Sequence, residues 1–455
     1  MKNSIYFYGI GGISMSALAK LSRHLGAKVY GSDDAESIAL DALLQEGVEV
    51  QVGVNYEWID ACDVFVYTIA VGQQNEVVQY ALSKNKQILE RADFLSEISK
   101  NYEKVIAISG THGKTTTTAM LGQIFITAGR NPSIHIGGES LDFDGNLRIG
   151  GRKIFITEAC EFNRSMLKLS PSQSIITNIE CDHMDTYQDL NDIENAFVSF
   201  AQKTSNEVII CGDCVDKKIF KNASKIITYG FKDSNDYVAK NIAHERGKFS
   251  FDCYYLGKNL GRISLNVLGK HNILNALACV AMARCNEIDF SDIFSGLTKF
   301  KGVKRRLNHI KNANKIDYFH DYAHHPTEIK ATLQTLELLK NNGEYNRIIA
   351  IFQPHTYSRT RALLNDFSKC FDGADFLYIL PTYPAREQYI IGGDALDIFY
   401  KINGRVPCAY LSNIYALTYD LQQNLRAGDC VVWIGAGDII SWADEYNKML
   451  EKKSD

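Results

Sequence analysis

Short apolar runs alternate with helical stretches along nearly the whole chain, and this alternation constrains the fold more than any other feature. Runs such as "SIYFYGI", "VIAISG", "KIFITEAC" and "RIIAIFQ" are separated by segments with helical spacing or a glycine stop. Such runs are typical of strands buried on both faces of a parallel sheet, because the connecting helices cover both faces. The sequence therefore predicts an α/β protein with mainly parallel sheets.

With 455 residues, the chain is too long for one ordinary hydrophobic core. A polar, helical stretch at 82–104 leads into the new strand "VIAISG", and "GVKRRL" precedes another series of strands. Closely spaced strands between about 236 and 268 predict an antiparallel insertion. We predict three α/β domains, which comprise residues 1–102, 103–303 and 304–455.

Composition excludes several classes of protein. Apolar residues make up 45% of the chain and charged residues 22%, the balance of a soluble globular protein. The net charge of −4, without a basic block, is not typical of a protein that binds nucleic acid, so we expect no nucleic-acid partner. No apolar run approaches the ~20 residues that span a bilayer, and the N-terminus lacks the pattern of a signal peptide. We expect a cytoplasmic protein without membrane insertion.

The 11 cysteines are scattered singly, which is typical of a reducing compartment. One pair, Cys211 and Cys214 in "CGDC", has the spacing of metal ligands, but no second such pair exists. The pair follows the apolar run "EVII". Two thiols at a strand end are therefore favoured over a zinc site.

A first glycine-rich turn, "YFYGIGGISMS", follows the first strand and opens a helix. Gly9, Gly11 and Ser14 fit the spacing G-x-G-x-x-G/A except that serine stands last. Asp33 closes the next strand, where a ribose-binding acid belongs. Small residues let backbone amides approach a diphosphate at the positive end of a helix. The pattern predicts a dinucleotide or a nucleoside diphosphate sugar; a ligand-free strand–helix turn is the alternative.

A second turn, "ISGTHGKTTTT", is more specific. It shares the G-K-[ST] ending of a Walker loop but is shorter, since the Walker pattern would place its first glycine at Ile108. Its backbone amides would hold phosphates, Lys114 would neutralise the β/γ oxygens, and Thr115 would offer a hydroxyl to Mg²⁺. Four consecutive threonines are poor helix formers away from a helix N-terminus. The sequence predicts an ATP site with a helix beginning near Thr116.

Acids and imidazoles follow two other predicted strands of the same sheet. These strand-end residues are Glu158, Glu161, Asn178, Glu180, Asp182 and His183. The carboxyl ends of adjacent parallel strands are where an open α/β sheet binds its ligand. Solvation explains a single strand-end acid, but two such strands beside Lys114 favour a metal site.

Seven motifs together resemble the Mur ligases: "GTHGKTTTT", "TNIECDHMDTY", "GKHNILNAL", "GVKRRL", "DYAHHPTEI", "FQPHTYSRTR" and "YPAREQ". The resemblance covers nearly the whole chain, and seven motifs in order are highly specific. It implies a Rossmann-like N-terminal domain, a central P-loop ATPase-like domain with a mainly parallel sheet, and a Rossmann-like C-terminal domain.

The resemblance also implies a reaction and two cofactors, ATP and Mg²⁺. The γ-phosphate of ATP passes to the carboxylate of UDP-N-acetylmuramate, and the amine of L-alanine attacks the acyl phosphate to give an amide, ADP and phosphate. This is a step of peptidoglycan precursor synthesis. The UDP-sugar is expected at the first loop and ATP at the second.

Site residues follow by matching motifs. Catalysis is expected at Lys114, Glu161, His183 and Arg306, and metal binding at Thr115, Glu161 and His183. ATP is expected at Gly110, Thr111, His112, Gly113, Lys114, Thr115, Thr116, His271, Asn272 and Asp321. The UDP-sugar is expected at Gly9, Gly11, Gly12, Ser14 and Asp33, and the alanine carboxylate at Arg359 and Arg361.

Two departures from the family pattern are visible. Cys160 stands in "EACE" where alanine-adding members frequently have an acid, although Glu161 is retained. The stretch "ENAFVSF" has no lysine at the place where ligases for later amino acids contain a carbamylated lysine, which fits the alanine-adding branch.

Three other functions are compatible with parts of the sequence. A recycling ligase would attach a preformed tripeptide to the same UDP-sugar, although "FQPHTYSRTR" favours the alanine-adding branch. An NAD-dependent oxidoreductase would use the first loop and leave the second without a role. A nucleotide-binding module would bind ATP without catalysis.

Overall fold

The computed structural model of the chain describes residues 4–143, 145–184, 186–402 and 404–451. The motif residue Asp185 lies outside these ranges. Over the described residues, no helix is both long enough and apolar enough to cross a membrane.

The N-terminal part contains a sheet of five parallel strands in the order β3-β2-β1-β4-β5. Its elements are β1 (Ser4–Tyr8), α1 (Ile13–His24), β2 (Lys28–Asp33), α2 (Ile38–Gln45), β3 (Glu49–Val52), α3 (Tyr56–Ala61), β4 (Val64–Tyr67), α4 (Glu76–Ser83), β5 (Gln87–Glu90) and α5 (Arg91–Ser99). The prediction that 82–104 is helical is wrong at β5, a short strand that pairs with β4.

The central part is built on strands in the order β12-β11-β10-β6-β9-β7-β8, parallel except for the β7–β8 pair. Its elements are β6 (Lys104–Ser109), α6 (Lys114–Thr127), β7 (Ser133–Ser140), β8 (Gly145–Arg148), β9 (Ile154–Glu158), a 3₁₀ helix (Phe162–Lys168), β10 (Gln173–Ile176), α7 (Leu190–Gln202), β11 (Glu207–Cys211), a second 3₁₀ helix (Lys217–Phe220) and β12 (Lys225–Gly230). Because β6, β9 and β10 are parallel neighbours, their carboxyl ends meet at one edge of the sheet.

Three strands then follow closely: β13 (Tyr237–Glu245), β14 (Lys248–Tyr255) and β15 (Lys258–Leu268). Since β14 and β15 pair antiparallel, the predicted antiparallel insertion is confirmed. Two helices come next, α8 (His271–Cys285) and α9 (Phe290–Lys299).

The C-terminal part has six strands in the order β16-β17-β21-β18-β19-β20, parallel except for the β16–β17 pair. Its elements are β16 (Asn308–Ala313), β17 (Ile316–Asp321), α10 (Pro326–Asn341), β18 (Arg347–Phe352), α11 (Tyr357–Ala362), α12 (Leu364–Phe367), β19 (Phe376–Ile379), α13 (Ala395–Ile402), β20 (Cys408–Tyr410), α14 (Ile414–Asn424), β21 (Asp429–Ile434) and α15 (Ile439–Glu451). Buried apolar side chains cover both faces of this sheet, which explains the apolar runs in the sequence.

The chain divides into two compact units. The first comprises residues 1–179, 191–237 and 277–299, and the second comprises 180–190, 238–276 and 300–455. The five-stranded sheet and the seven central strands both lie in the first unit, and the six-stranded sheet lies in the second. The predicted domain boundaries after residues 102 and 303 stay predictions.

Candidate functional site

The first glycine loop is shaped by the acid that ends β2. The amide of Gly11 donates to Oδ2 of Asp33 at 2.7 Å, and a Cβ atom on Gly11 would lie 2.9 Å from the same oxygen. Gly9 has a φ of +80°, and Gly12 caps α1, whose first turn contains Ser14. The five residues predicted to hold the UDP-sugar therefore lie together, and Asp33 braces the loop itself.

The second glycine loop joins β6 to α6. Gly110 has a φ of +134°, and a Cβ atom there would lie 2.0 Å from Oγ1 of Thr177, so only glycine fits. Gly113, with a φ of +84°, precedes the helix. The helix begins at Lys114, two residues before the predicted Thr116, so its first backbone amides lie next to the loop.

Asn178, just after β10, holds the second loop in shape. Its Oδ1 accepts from the amide of His112 at 2.8 Å, and its Nδ2 donates to the carbonyl oxygen of His112 at 3.1 Å. Its own carbonyl oxygen accepts from the amide of Thr111 at 3.1 Å. Thr177 adds a hydroxyl bond of 2.6 Å to the carbonyl of His112. The sequence marked Asn178 as a strand-end residue but did not predict this role.

Lys114 and Glu161, both predicted catalytic residues, form an ion pair. The lysine Nζ lies 2.8 Å from Oε2 of Glu161 and donates to the carbonyl oxygens of Gly110 and Thr111 at 2.6 and 3.1 Å. Burial opposes the charge on this largely buried ammonium, but Glu161, Cys160 and Glu158 together raise the pKa of Lys114 above its usual value. Lys114 is therefore a fixed positive charge at the loop.

Glu158 is the carboxylate beside the hydroxyl of Thr115. Oγ1 of Thr115 donates to Oε2 of Glu158 at 3.1 Å, and the amide of Gly137 donates to its other oxygen. Of the two acids in "TEACE", the structure therefore places Glu158 against Thr115 and Glu161 against Lys114. Glu158 is the last residue of β9, and this position was the signal that could have selected it.

In the second unit, Arg359 binds a carboxylate of the protein itself. Its Nε and Nη2 donate to the two oxygens of Asp182 at 3.0 and 3.3 Å, and its Nη1 donates to the carbonyl oxygen of His355 at 2.6 Å. Burial opposes the charge on Asp182, but Arg359, together with His183 and His324, holds the pKa of Asp182 well below its usual range. His183 donates its amide to the same carboxylate at 2.8 Å, whereas Arg361 is exposed.

Arg306 and Asp321 lie near the start of the C-terminal sheet. The Arg306 guanidinium lies 5.1 Å from the ring centroid of Tyr322 and 3.9 Å from a carboxylate oxygen of Glu328. Asp321 ends β17, is buried, and accepts a hydrogen bond from Thr332. Burial raises the pKa of Asp321 to about 6.

Two of the predicted ATP-binding residues, His271 and Asn272, begin α8. Burial lowers the pKa of His271 to about 4, so its imidazole is neutral at pH 7. The side-chain Nδ2 of Asn272 donates to the carbonyl oxygen of Leu268 at 2.7 Å, and its Oδ1 accepts from the side-chain Nδ2 of Asn275 at 2.9 Å. Asn272 therefore fixes the turn between β15 and α8.

All 11 cysteines are free thiols in the structure. Cys211 ends β11 and is buried, and its Sγ lies 3.2 Å from Sγ of the exposed Cys214 in the following turn.

Three family models match the chain in succession. The Mur ligase family catalytic domain matches residues 4–103, the Mur ligase middle domain matches 108–283, and the Mur ligase glutamate ligase domain matches 305–437.

Curated relatives match over nearly their whole length. The UDP-N-acetylmuramate–L-alanine ligase of Clostridium beijerinckii is 40% identical over 451 residues, which cover 98% of this chain and 97% of that protein. The enzyme of the same name from Clostridium perfringens is 38% identical over 456 residues, which cover 98% of each chain.

Two solved structures also match the chain over nearly its whole length. A UDP-N-acetylmuramate–alanine ligase from Thermotoga maritima matches with a TM-score of 0.83 and 25% identity, covering 99% of each chain. A murein peptide ligase from Psychrobacter arcticus matches with a TM-score of 0.73 and 24% identity, covering 98% of each. The predicted three-domain α/β fold and the resemblance drawn from the seven motifs are both confirmed, and the chain belongs to the Mur ligase family.

Proposed function

We propose that this chain joins L-alanine to the carboxylate of UDP-N-acetylmuramate and consumes one ATP. The curated relatives that are about 40% identical over nearly the full length carry this activity in their names. The observation that carries the proposal is the second glycine loop, where Lys114 is held by Glu161 and Thr115 by Glu158.

ATP would bind with its phosphates at this loop. The amides at the start of α6 and the charge of Lys114 favour the triphosphate. The carboxylate oxygen of the sugar attacks the γ-phosphorus and ADP leaves. The amine of L-alanine then attacks the acyl carbon, phosphate leaves, and the amine loses a proton. Lys114 neutralises charge on the transferring phosphoryl group, which lowers the barrier of the first step.

The residues beside Lys114 fit Mg²⁺. The Thr115 hydroxyl and the Glu158 carboxylate are hard oxygen donors whose oxygens lie 3.1 Å apart. Glu161 and His183 stay predicted ligands. When bound, Mg²⁺ would neutralise phosphate oxygens and orient them for transfer.

The UDP-sugar would bind at the first glycine loop, where amides at the start of α1 face the diphosphate. Arg306, His271 and Asp321 are proposed to contact ATP. Arg359 and Arg361 are proposed for the alanine carboxylate; Arg361 is the exposed one, whereas Arg359 already binds Asp182. We propose that the reaction takes place in the cytoplasm, since the singly scattered cysteines are typical of a reducing compartment.

The tripeptide-adding alternative is weaker. The murein peptide ligase from Psychrobacter arcticus, at 24% identity, shares the fold alone with this chain. Phosphate release from ATP and UDP-N-acetylmuramate should depend on L-alanine and not on the tripeptide. The reverse preference would establish the recycling reaction.

The site assignment is tested by Lys114→Met. We expect alanine-dependent phosphate release to fall by about 1,000-fold or more, because the charge acts on the transferring group. Lys100→Met, at an exposed lysine paired with Glu97, is the matched control and should retain full activity. Full activity in Lys114→Met would refute the site.

A further inference from the structure

His135 is a buried imidazole that links the first glycine loop to the central sheet. Its Nε2 lies 3.1 Å from Oγ of Ser14 in the first turn of α1. Its Nδ1 lies 3.0 Å from Oγ1 of Thr157 on β9. The side chain belongs to β7, and His135 is 3% exposed. The sequence predicted Ser14 as a ligand of the UDP-sugar and gave His135 no role.

The partners define the direction of each hydrogen bond. The Thr157 hydroxyl donates to the carbonyl oxygen of Glu158 at 3.1 Å, so its oxygen accepts the Nδ1–H of His135. Burial lowers the pKa of His135 to about 3, and the neutral ring carries one N–H. Nε2 is therefore an acceptor, and the Ser14 hydroxyl donates to it. Arg91 donates to the Ser14 oxygen at 3.4 Å, which agrees with this direction.

Neighbouring contacts reinforce the link. Two residues after His135 on the same strand, the amide of Gly137 donates to the carboxylate of Glu158, which accepts from Thr115 in the first turn of α6. On β8, Asn146 donates to the carbonyl oxygen of Ile13 at the start of α1. Strand β7 therefore contacts both α1, which follows the first loop, and Glu158 at the end of β9, the carboxylate that lies beside Thr115.

We propose that His135 is a positioning residue that holds the first turn of α1 against the central sheet. It thereby determines how tightly the first loop binds the diphosphate of the UDP-sugar. The Ser14 hydroxyl donates its proton to His135 and thereby attaches α1 to the central sheet. The diphosphate is then bound by the backbone amides of the loop. This inference rests on the proposed function, which places the UDP-sugar at the first loop.

Two conservative variants separate the contacts of His135. A glutamine amide reaches the position of Nε2, so His135→Gln keeps an acceptor for Ser14. An asparagine amide reaches only the position of Nδ1, so His135→Asn keeps the Thr157 contact alone. We expect His135→Asn to raise the KM for UDP-N-acetylmuramate by about 3- to 10-fold. His135→Gln should stay within about twofold of the wild type, and both should leave the KM for ATP unchanged.

Ser14→Ala should reproduce the KM of His135→Asn, and the double variant should show no further rise, because both changes remove one bond. If His135→Asn does not fold, as judged by its thermal midpoint, Ser14→Ala carries the test with His135→Gln. Equal KM values for His135→Gln and His135→Asn, or an unchanged KM in Ser14→Ala, would overturn the proposal. An error in the proposed function would give a different result, because the wild-type protein itself would then show no alanine-dependent phosphate release.

Discussion

Removing the guanidinium of Arg359 should destabilise the second unit in a pH-dependent way. Arg359→Gln takes both hydrogen bonds and the positive charge from Asp182, whose side chain is 7% exposed. The amide of His183 still donates to this carboxylate. Breaking a buried ion pair on one side costs about 3–5 kcal/mol, because the remaining charge stays out of water.

Protonation sets an upper limit to this loss. In the wild type, the lowered pKa of Asp182 contributes stability that is present above pH ~4 and is lost as the pH falls further. In Arg359→Gln the buried carboxylate takes up a proton instead. From an ordinary pKa of ~3.9, this costs at most about 4 kcal/mol at pH 7 and about 1.5 kcal/mol at pH 5. The stability gap between wild type and variant should therefore shrink by about 2.5 kcal/mol.

Urea unfolding at pH 7 and pH 5 measures this gap. Arg361→Gln, on the same helix but exposed, is the matched control and should change stability by less than about 0.5 kcal/mol at either pH. In the double variant Asp182→Asn/Arg359→Gln, the pH dependence of the gap should disappear. An equal loss at both pH values in Arg359→Gln would refute the argument, because Asp182 would then not be the group that responds.

Three further predictions follow from the site. Glu158→Gln should raise the Mg²⁺ concentration for half-maximal activity by about tenfold or more, as measured by phosphate release in a Mg²⁺ titration; an unchanged requirement would remove Glu158 from the metal site. Burial raises the pKa of Asp321 to about 6, so this group stabilises the fold below pH ~4 and that contribution is lost as the pH rises through 6. Between pH 4 and pH 7, the free energy of unfolding should therefore fall by about 3 kcal/mol more in the wild type than in Asp321→Asn. Urea unfolding that shows the same pH dependence in both proteins would contradict this. A thiol reagent should label the exposed Cys214 before the buried Cys211, because a hydrogen bond to Cys214 and burial both raise the pKa of Cys211. Peptide mass spectrometry measures the order of labelling. Labelling of Cys211 first would contradict the structure.

The fold could be predicted because buried parallel strands leave a strong signal. All six residues of β21, for example, are buried, and the sequence shows them as the run "DCVVWI". Short edge strands lack this signal. Strand β5 at the sheet edge has the sequence "QILE" with no fully buried residue, so its neighbours on either side made it look helical.

Residues of the candidate site could be predicted where they stand in a recognisable motif. Their contact partners could not be predicted where packing in the folded chain determines them. Lys114 and Glu161 were selected from motifs, and the structure pairs them. The contact between Thr115 and Glu158 depends on the register of β6 and β9, which the sequence does not display. Arg359 shows the same limit, since only the folded chain reveals that Asp182 already uses its guanidinium.

The hold of Asn178 on the second loop has a consequence for protein engineering. Four hydrogen bonds from this residue and Thr177 set the path of Thr111 and His112, and the loop makes room for them with Gly110. The nucleotide loop is thus half of a two-segment module encoded about 65 positions apart. A graft of residues 108–118 into another parallel sheet should bind ATP only if the adjoining strand brings its own threonine–asparagine end.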